Sequence, residues 1–288
     1  MTMKSTPPTS SMGRLRPDPG GAGALRREFG VAHAQEMFWH WFLGCDLLHV
    51  SQKNCFEMFG ATREEKAYVG PLIVFLAIMF LGQIPGWIAP RSEWWVIAKP
   101  GYWVIPLQTV IGTVLLARYW RIYQMRFPSW CGIWFATLIG ALALILWIAP
   151  QQWLGFAPRL IGFEPHYFGG PDTWMYWFNL VVRFIRLVII VPLIEEIFWR
   201  GFLLRYFVDD DFTSVPMGAF SWTSFWIVVG GFCLEHSFAD WPAALLTGAL
   251  FNLVAYRTRS LSACVLTHAV TNLILGIWVM RTGQWGFW

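Results

Sequence analysis

The chain has 288 residues, of which 56% are hydrophobic and 13% are charged. Because a soluble globular domain carries about 25% charged residues, this composition excludes an ordinary water-soluble protein. The net charge of +4 is modest, and no basic patch with interleaved aromatic residues stands outside the membrane-flanking loops, which argues against nucleic acid as a partner.

The first part of the chain predicts no membrane span. Residues 1–36 are rich in Pro, Gly, Ser and Arg, which is typical of a disordered tail. The segment 37–66 begins with an aromatic stretch that contains His40, Asp46 and His49 and is too short and too polar to cross a bilayer. We therefore expect an interfacial or poorly defined segment there.

Seven apolar segments follow, and each predicts a membrane-spanning helix, since a span needs about 20 largely apolar residues. A count of six to eight spans is compatible with the pattern. The predicted fold is an all-α, polytopic transmembrane helical bundle that forms one domain over residues 67–288. The predicted spans are Val69–Ala89, Gly101–Trp120, Ser129–Ala149, Leu187–Phe207, Ala219–Phe238, Pro242–Tyr256 and Leu261–Met280.

Three connecting segments have patterns of their own. Gln151–Asp172 indicates a loop between the third and fourth spans. Trp174–Arg186 is amphipathic, which predicts a helix that lies at the membrane interface before the chain enters the bilayer. The acidic run Asp209–Asp211, directly after the fourth span, predicts a solvated loop.

The distribution of Lys and Arg predicts the orientation of the bundle. If the N-terminus is cytoplasmic, most of the positive residues lie on the cytoplasmic side. They stand before the first span, between the second and third spans, after the fourth span, and between the sixth and seventh spans. The opposite side carries fewer. The cytoplasmic set comprises Arg63, Lys66, Arg118, Arg121, Arg126, Arg205, Arg257 and Arg259.

The fourth predicted span contains three charged residues in its middle part, and a charge at the centre of a membrane helix costs about 2.5–3.5 kcal/mol. Glu196 and Arg200 are one turn apart on one face, so they can form an ion pair that neutralises both and supports the helix. Glu195 is rotated by about 100° and is left over. An unpaired carboxylate at this depth must be neutral or face a wet cavity, and both states suit a general base.

The next spans carry two further polar groups. His236 follows Phe232 by one turn at the end of an apolar stretch, and His268 precedes Asn272 by one turn in an otherwise apolar helix. Each group alone is compatible with a structural role, such as a hydrogen bond between helices. Because the fourth, fifth and seventh spans present acid–base or hydrogen-bonding side chains at similar depth, we expect the three groups to form one site.

These side chains can hydrolyse an acyl bond. A carboxylate and an imidazole together can deprotonate a water molecule, which assigns Glu195 and His236 to water activation. A second imidazole and a carboxamide can stabilise the oxyanion, which assigns that role to His268 and Asn272. This mechanism requires no cofactor. Glu195, His236 and His268 also match a catalytic zinc set, so the sequence leaves a Zn²⁺-dependent mechanism open.

In these residues the chain resembles the CAAX-protease and bacteriocin-processing (CPBP, or Abi) family of intramembrane endopeptidases. The motifs of that family are Glu-Glu-xxx-Arg, Phe-xxx-His and His-xxx-Asn on successive helices. The resemblance implies an all-helical bundle that cleaves a membrane-associated or lipid-anchored protein substrate, and it covers the motif-bearing core at 187–280. The matching residues are Glu195, Glu196 and Arg200; Phe232 and His236; and His268 and Asn272.

A narrower resemblance points to the prenyl-protease-related proteins that accompany bacterial exosortase systems. It is carried by the runs Val191–Glu196, Phe198–Trp199 and Asp209–Phe212. It implies a location in a bacterial inner membrane.

Three rival functions are compatible with parts of the sequence. A non-catalytic scaffold or immunity protein would need only the Glu196–Arg200 pair. A proton-coupled transporter could also use buried carboxylates and histidines, although no internal repeat is visible. A cysteine transpeptidase would use Cys131 or Cys233, and neither has an activating base nearby in the sequence. The preferred interpretation has a protein or peptide substrate and the lipid bilayer as its partners.

Overall fold

The computed structural model of this protein describes residues 61–88, 101–157 and 162–288. The predicted tail at residues 1–36 and the predicted interfacial segment up to residue 60 lie outside the described residues. The described residues form seven long helices and contain no strand, which confirms the all-α bundle. The helices are α1 (Arg63–Ile88), α2 (Gly101–Tyr119), α3 (Trp130–Gln152), α4 (Trp174–Tyr206), α5 (Trp222–Glu235), α6 (Trp241–Thr258) and α7 (Leu261–Thr282).

Five of these helices are long and apolar enough to cross a membrane: α1, α3, α4, α6 with the short turn before it, and α7. The helices α2 and α5 are apolar but shorter. With 14 residues, α5 extends over about 21 Å, whereas the hydrocarbon core of a bilayer is about 30 Å thick. At least one end of α5 must therefore lie at membrane depth.

The prediction that Trp174–Arg186 forms a separate interfacial helix is wrong. This segment is the first part of α4, which runs without a break for 33 residues. Its polar face is covered by protein: Asn179 and Arg183 are both buried, and the guanidinium of Arg183 lies over the rings of Phe163 and Trp288. The amphipathic pattern therefore arises from contacts inside the protein.

Side-chain caps and one left-handed residue set the boundaries of the later helices. The hydroxyl of Ser129 accepts a hydrogen bond from the N–H of Gly132 at the start of α3, and Ser260 does the same for Ala263 at the start of α7. Arg259, with a φ of 51°, ends α6. Only two residues therefore separate α6 from α7, which places the two helices side by side.

The helices α3 and α7 approach each other closely in the core. A Cβ atom on Gly140 would lie 2.6 Å from the carbonyl oxygen of Thr267, so only glycine fits at this position. The hydroxyl of Thr271 donates a hydrogen bond of 2.9 Å to the carbonyl of Gly140. Since α6 contacts α3, α5 and α7, it occupies the middle of this part of the bundle and brings α5 and α7 towards the same site.

The basic connecting segments meet at one end of the bundle. The hydroxyl of Tyr123, after α2, donates to the carbonyl of Ala67 in α1, and the hydroxyl of Ser260 donates to the carbonyl of Arg126. The segment after α4 reaches the same end, because the ring of Phe212 lies against Tyr68. Asp209–Asp211 are exposed in that segment, which confirms the predicted solvated loop.

Candidate active site

The backbone of α4 is irregular on both sides of the two glutamates. A π-helical turn at Arg186–Ile190 precedes the α-helical stretch Val191–Glu196, and a second one at Ile197–Leu203 follows it. Such turns are rare inside α-helices and occur frequently at functional sites. Each widened turn changes which side chains share a face, so the direction of Glu195 relative to Arg200 depends on them.

Glu196 and Arg200 form the ion pair that their spacing predicts. Their Oε1 and Nη1 atoms are 3.1 Å apart, and both side chains are fully buried. The arginine is bonded further through its other nitrogens. Its Nε donates to Oδ1 of Asn252 and its Nη2 donates to the carbonyl of Gly248, both at 3.1 Å. Arg200 therefore joins α4 to α6.

His268 extends this network to α7. Its Nδ1 lies 3.0 Å from Oε1 of Glu196, so the Nδ1–H donates a hydrogen bond to the carboxylate. Nε2 is then the ring nitrogen that can contact a substrate. The ring lies 5.2 Å from that of Phe251, and Phe232 is 6.5 Å away. His268 is 6% exposed, so its position is fixed by protein on nearly all sides.

Asn272 contacts the backbone of α4. Its Nδ2 donates a hydrogen bond of 2.8 Å to the carbonyl of Leu187, inside the first π-helical turn. In that turn the N–H of Val191 donates to Arg186, and the same pattern would require an N–H on residue 192 for Leu187. Residue 192 is a proline, which has no N–H. Asn272 thus supplies a hydrogen bond that the helix itself cannot make.

The end of α5 carries His236 and Glu235. The Nδ1 of His236 lies 2.7 Å from the carbonyl of Phe232, so this nitrogen carries the proton in the neutral ring and Nε2 is the basic nitrogen. The rings of Phe232 and Trp147 flank the imidazole at 4.7 and 5.0 Å. The carboxylate of Glu235 accepts a hydrogen bond of 2.9 Å from the indole N–H of Trp199 in α4. This bond ties the end of α5 to α4.

Glu195 differs from the other motif residues. Its carboxylate makes no hydrogen bond or ion pair within the described part of the chain, and the side chain is half-buried. It lies close enough to Glu235, Glu196, Arg200 and Arg186 for their charges to act on it. Two of these neighbours are carboxylates and two are guanidinium groups, so Glu195 faces a site in which charges of both signs meet.

The side chains of the described residues do not form a ready metal site. No group of three or more His, Cys, Asp or Glu side chains converges in the residues that the structure describes. Both histidines direct Nδ1 at an oxygen of the protein, which leaves Nε2 as the nitrogen that could bind a metal. Glu195, His236 and His268 do not converge in this arrangement, so the predicted set does not fit Zn²⁺ and we derive no step through a metal.

Several contacts of the site could not be found from the sequence. Asn252 is fully buried and holds Arg200, and its only sequence signal is that of an amide in an apolar helix. Trp199 and Glu235 form a contact between two helices, and no spacing along the chain can show such a contact. Arg186 was assigned to a helix at the interface, whereas its guanidinium lies over the ring of Phe75 in α1.

Fold and site together define an integral membrane protein with an acid–base site inside a helical bundle. Residues 177–274 match the family model described as type II CAAX prenyl endopeptidase, Rce1-like. This region begins in α4, ends in α7 and includes all three motifs, so the match confirms the resemblance to the CPBP family. Comparison with the curated proteins and with the solved structures finds no match. The exosortase-associated subgroup stays a prediction.

Proposed function

We propose that this protein is an intramembrane endopeptidase that hydrolyses a peptide bond of a membrane-associated or lipid-anchored protein, using water activated by Glu195 and His236. One observation carries the proposal. Glu196 and Arg200 are fixed in buried contacts, whereas the carboxylate of Glu195 beside them has no hydrogen-bond partner in the described residues. A carboxylate that makes no hydrogen bond of its own is available to bind a substrate or water.

Glu195 is the proposed general base. A carboxylate can take a proton from water only within hydrogen-bonding distance, so it must have an acceptor oxygen to spare. Glu195 has this capacity, whereas Oε1 of Glu196 accepts from both Arg200 and His268 and its Oε2 is sealed inside the protein, where water cannot reach it. Glu196 is therefore the supporting carboxylate and Glu195 the reactive one.

His236 is proposed to hold the same water through Nε2. Its Nδ1–H is directed at the carbonyl of Phe232, which leaves Nε2 as the basic nitrogen of the neutral imidazole. The position of His236 supports access to water. It follows the last residue of the short helix α5, and backbone that ends at membrane depth is tolerated where it is covered by protein or borders a wet cavity.

His268 and Asn272 are the proposed donors to the oxyanion. Glu196 holds Nδ1 of His268, so Nε2 can donate when the ring is protonated. Asn272 donates one amide hydrogen to the carbonyl of Leu187 and has a second amide hydrogen that can donate to the oxyanion. When the peptide bond breaks, Glu195 gives the proton that it took from water to the nitrogen of the leaving amine.

A cleavage assay tests this function. Wild type, Glu195→Gln and the matched control Glu64→Gln are purified in detergent and incubated with a library of membrane-anchored peptides, and products are read by mass spectrometry. Glu64 is exposed at the start of α1, so its substitution changes the same chemical group outside the site. We expect cleavage by wild type and Glu64→Gln and a loss of about 100-fold or more in Glu195→Gln, the usual effect of removing a general base.

The assay also separates the two mechanisms and the rival functions. Cleavage that persists in a chelator supports a metal-free mechanism, and loss of cleavage with restoration by Zn²⁺ would replace it by a metal-dependent one. Equal cleavage by wild type and Glu195→Gln would contradict the assignment of the base. No cleavage by folded wild type would favour the scaffold.

The scaffold is the second candidate because one observation favours it. Glu196, Arg200 and Asn272 all have buried structural contacts that would be useful without any catalysis. A scaffold gives no reason for the unbonded carboxylate at Glu195, since that position would be more stable with an apolar residue.

A further inference from the structure

Arg186 is a charged residue of α4 that the proposed reaction does not use. It lies four residues before the midpoint of α4, so it is far from both ends of this membrane-spanning helix. Its side chain is half-buried and points towards α1 and α2, where the guanidinium lies 4.8 Å from the ring centre of Phe75. A charge at this depth is costly and calls for a compensating contact.

A chain of hydrogen bonds fixes the direction of this guanidinium. Gln108 of α2 is 1% exposed, and its Nε2 donates to the carbonyl of Phe75 at 2.8 Å. This bond fixes the amide so that its Oε1 faces Arg186, whose Nε donates to it at 3.0 Å. A buried glutamine and a backbone carbonyl therefore orient Arg186 before any ligand arrives.

The two terminal nitrogens of Arg186 have no partner within the described part of the chain. They are also not sealed inside protein, in contrast to Nε of Arg183 and Oε2 of Glu196. They present the planar pair of N–H donors that matches a carboxylate. Arg200 on the same helix uses all three of its guanidinium nitrogens in hydrogen bonds, whereas Arg186 uses only Nε in the residues that the structure describes.

The two terminal nitrogens of Arg186 belong to the same site as Glu195, the proposed general base. Glu195 is the acidic residue whose charge acts on Arg186, although no ion pair joins them. Both residues belong to α4 and are nine positions apart along that helix. A peptide whose scissile bond reaches Glu195 would bring a group a few residues away to the guanidinium, since an extended chain advances about 3.3–3.6 Å per residue.

We propose that Arg186 binds a carboxylate of the substrate peptide and so selects which bond reaches Glu195. This inference rests on the proposed function and names a specificity residue for it. The carboxylate is either the C-terminus of the substrate or the side chain of an Asp or Glu near the cleaved bond. Both present the same planar pair of oxygens to the guanidinium.

Binding tests this proposal without requiring cleavage. The full chain with Glu195→Gln is placed in nanodiscs of zwitterionic lipid, and the affinity of dansyl-labelled apolar hexapeptides is measured by fluorescence anisotropy. One pair of peptides differs in a free or amidated C-terminus, and an amidated pair differs in an internal Glu or Gln. A charge-assisted hydrogen bond contributes about 1.5–3 kcal/mol, so we expect one acidic peptide to bind roughly 10- to 150-fold more tightly than its neutral counterpart.

Variants assign this preference to Arg186. Adding Arg186→Gln should reduce the preference to less than about twofold. Arg186→Lys should retain part of the preference, because lysine keeps the positive charge but lacks the planar pair of N–H donors. The matched control Arg281→Gln removes an exposed arginine at the end of α7 and should leave the preference unchanged. If Arg186→Gln does not fold, Gln108→Met removes the orienting acceptor and should weaken the preference about 2- to 10-fold.

Three results would overturn the proposal. Acidic and neutral peptides that bind equally, or that both fail to bind, would show that no carboxylate is recognised. A preference that survives Arg186→Gln would place recognition elsewhere. A preference that disappears when phosphatidylglycerol is added to the nanodiscs would assign the guanidinium to a lipid phosphate. Cleavage of the same peptides by wild type is scored separately, so failure of the proposed protease activity and failure of carboxylate binding are distinguished.

Discussion

Two adjacent glutamates have opposite roles at the scale of single residues. The carboxylate of Glu196 is fully buried and receives hydrogen bonds from Arg200 and His268, whereas that of Glu195 makes none in the described residues. A buried ion pair adds little net stability, but removing one partner leaves the other charge uncompensated. The same chemical change at the two positions should therefore affect stability differently.

The first prediction compares Glu196→Gln with Glu195→Gln. Loss of the Glu196 charge leaves the Arg200 guanidinium buried without a counter-charge, so we expect a loss of about 3–5 kcal/mol in the free energy of unfolding. Glu195→Gln should leave stability unchanged or raise it, because an unbonded carboxylate is replaced by a neutral group. Thermal unfolding in detergent measures both. Equal stability of the two variants would contradict the division of roles.

At the scale of the helices, α4 depends on α7 for its own backbone. Pro192 removes the N–H that the π-helical turn would direct at the carbonyl of Leu187, and Asn272 of α7 donates there instead. An unsatisfied carbonyl at this depth is costly, since no water is present in the hydrocarbon region. Asn272 therefore has a structural role in addition to the proposed contact with the oxyanion.

The second prediction separates these two roles of Asn272. Asn272→Ala should cost about 1–3 kcal/mol of stability, because it leaves the carbonyl of Leu187 without a donor. In a Pro192→Ala background the helix can supply its own N–H, so the same substitution should cost clearly less. Thermal unfolding of both single variants and the double variant gives the coupling. Additive effects would show that Pro192 is not the reason for the contact.

Catalysis gives the other half of this test. If Asn272 stabilises the oxyanion, the double variant should recover stability but not cleavage. Recovery of both would limit Asn272 to its contact with the backbone of α4.

At the scale of the whole molecule, the basic connecting segments lie at one end of the bundle. Hydrogen bonds link the segment after α2 to α1 and to the α6–α7 turn, and Phe212 brings the segment after α4 to the same place. The opposite end holds the contact between Gln152 and Gln284. Because loops rich in Lys and Arg stay in the cytoplasm, we propose that the basic end is cytoplasmic in a bacterial inner membrane.

The third prediction places these two ends on opposite sides of the membrane. In a chain with all native cysteines replaced, Thr213→Cys reports on the basic end and Leu154→Cys on the other, and both positions are exposed. A membrane-impermeant maleimide added to intact spheroplasts should label Leu154→Cys and leave Thr213→Cys unlabelled until the membrane is opened. Labelling in the reverse order would invert the proposed orientation.

The sequence determined the features that depend on local composition and spacing. Runs of apolar residues fixed the number and approximate bounds of the helices, because the bilayer sets the length of a span. The spacing of Glu196 and Arg200 determined their ion pair, since residues four apart share a helix face. The order of the three motifs also indicated a resemblance to the CPBP family, and the family model matched at residues 177–274 agrees with it.

Only the tertiary structure decided the features that depend on contacts between helices. It joined Trp174–Arg186 to α4, because the polar face of that segment is buried against Phe163 and Trp288 instead of water. It also placed Glu235 on Trp199 and Asn272 on the carbonyl of Leu187. These partners are far apart in the chain. A hydrogen bond between helices depends on how the helices are positioned relative to each other, and the spacing of residues within one helix carries no information about that.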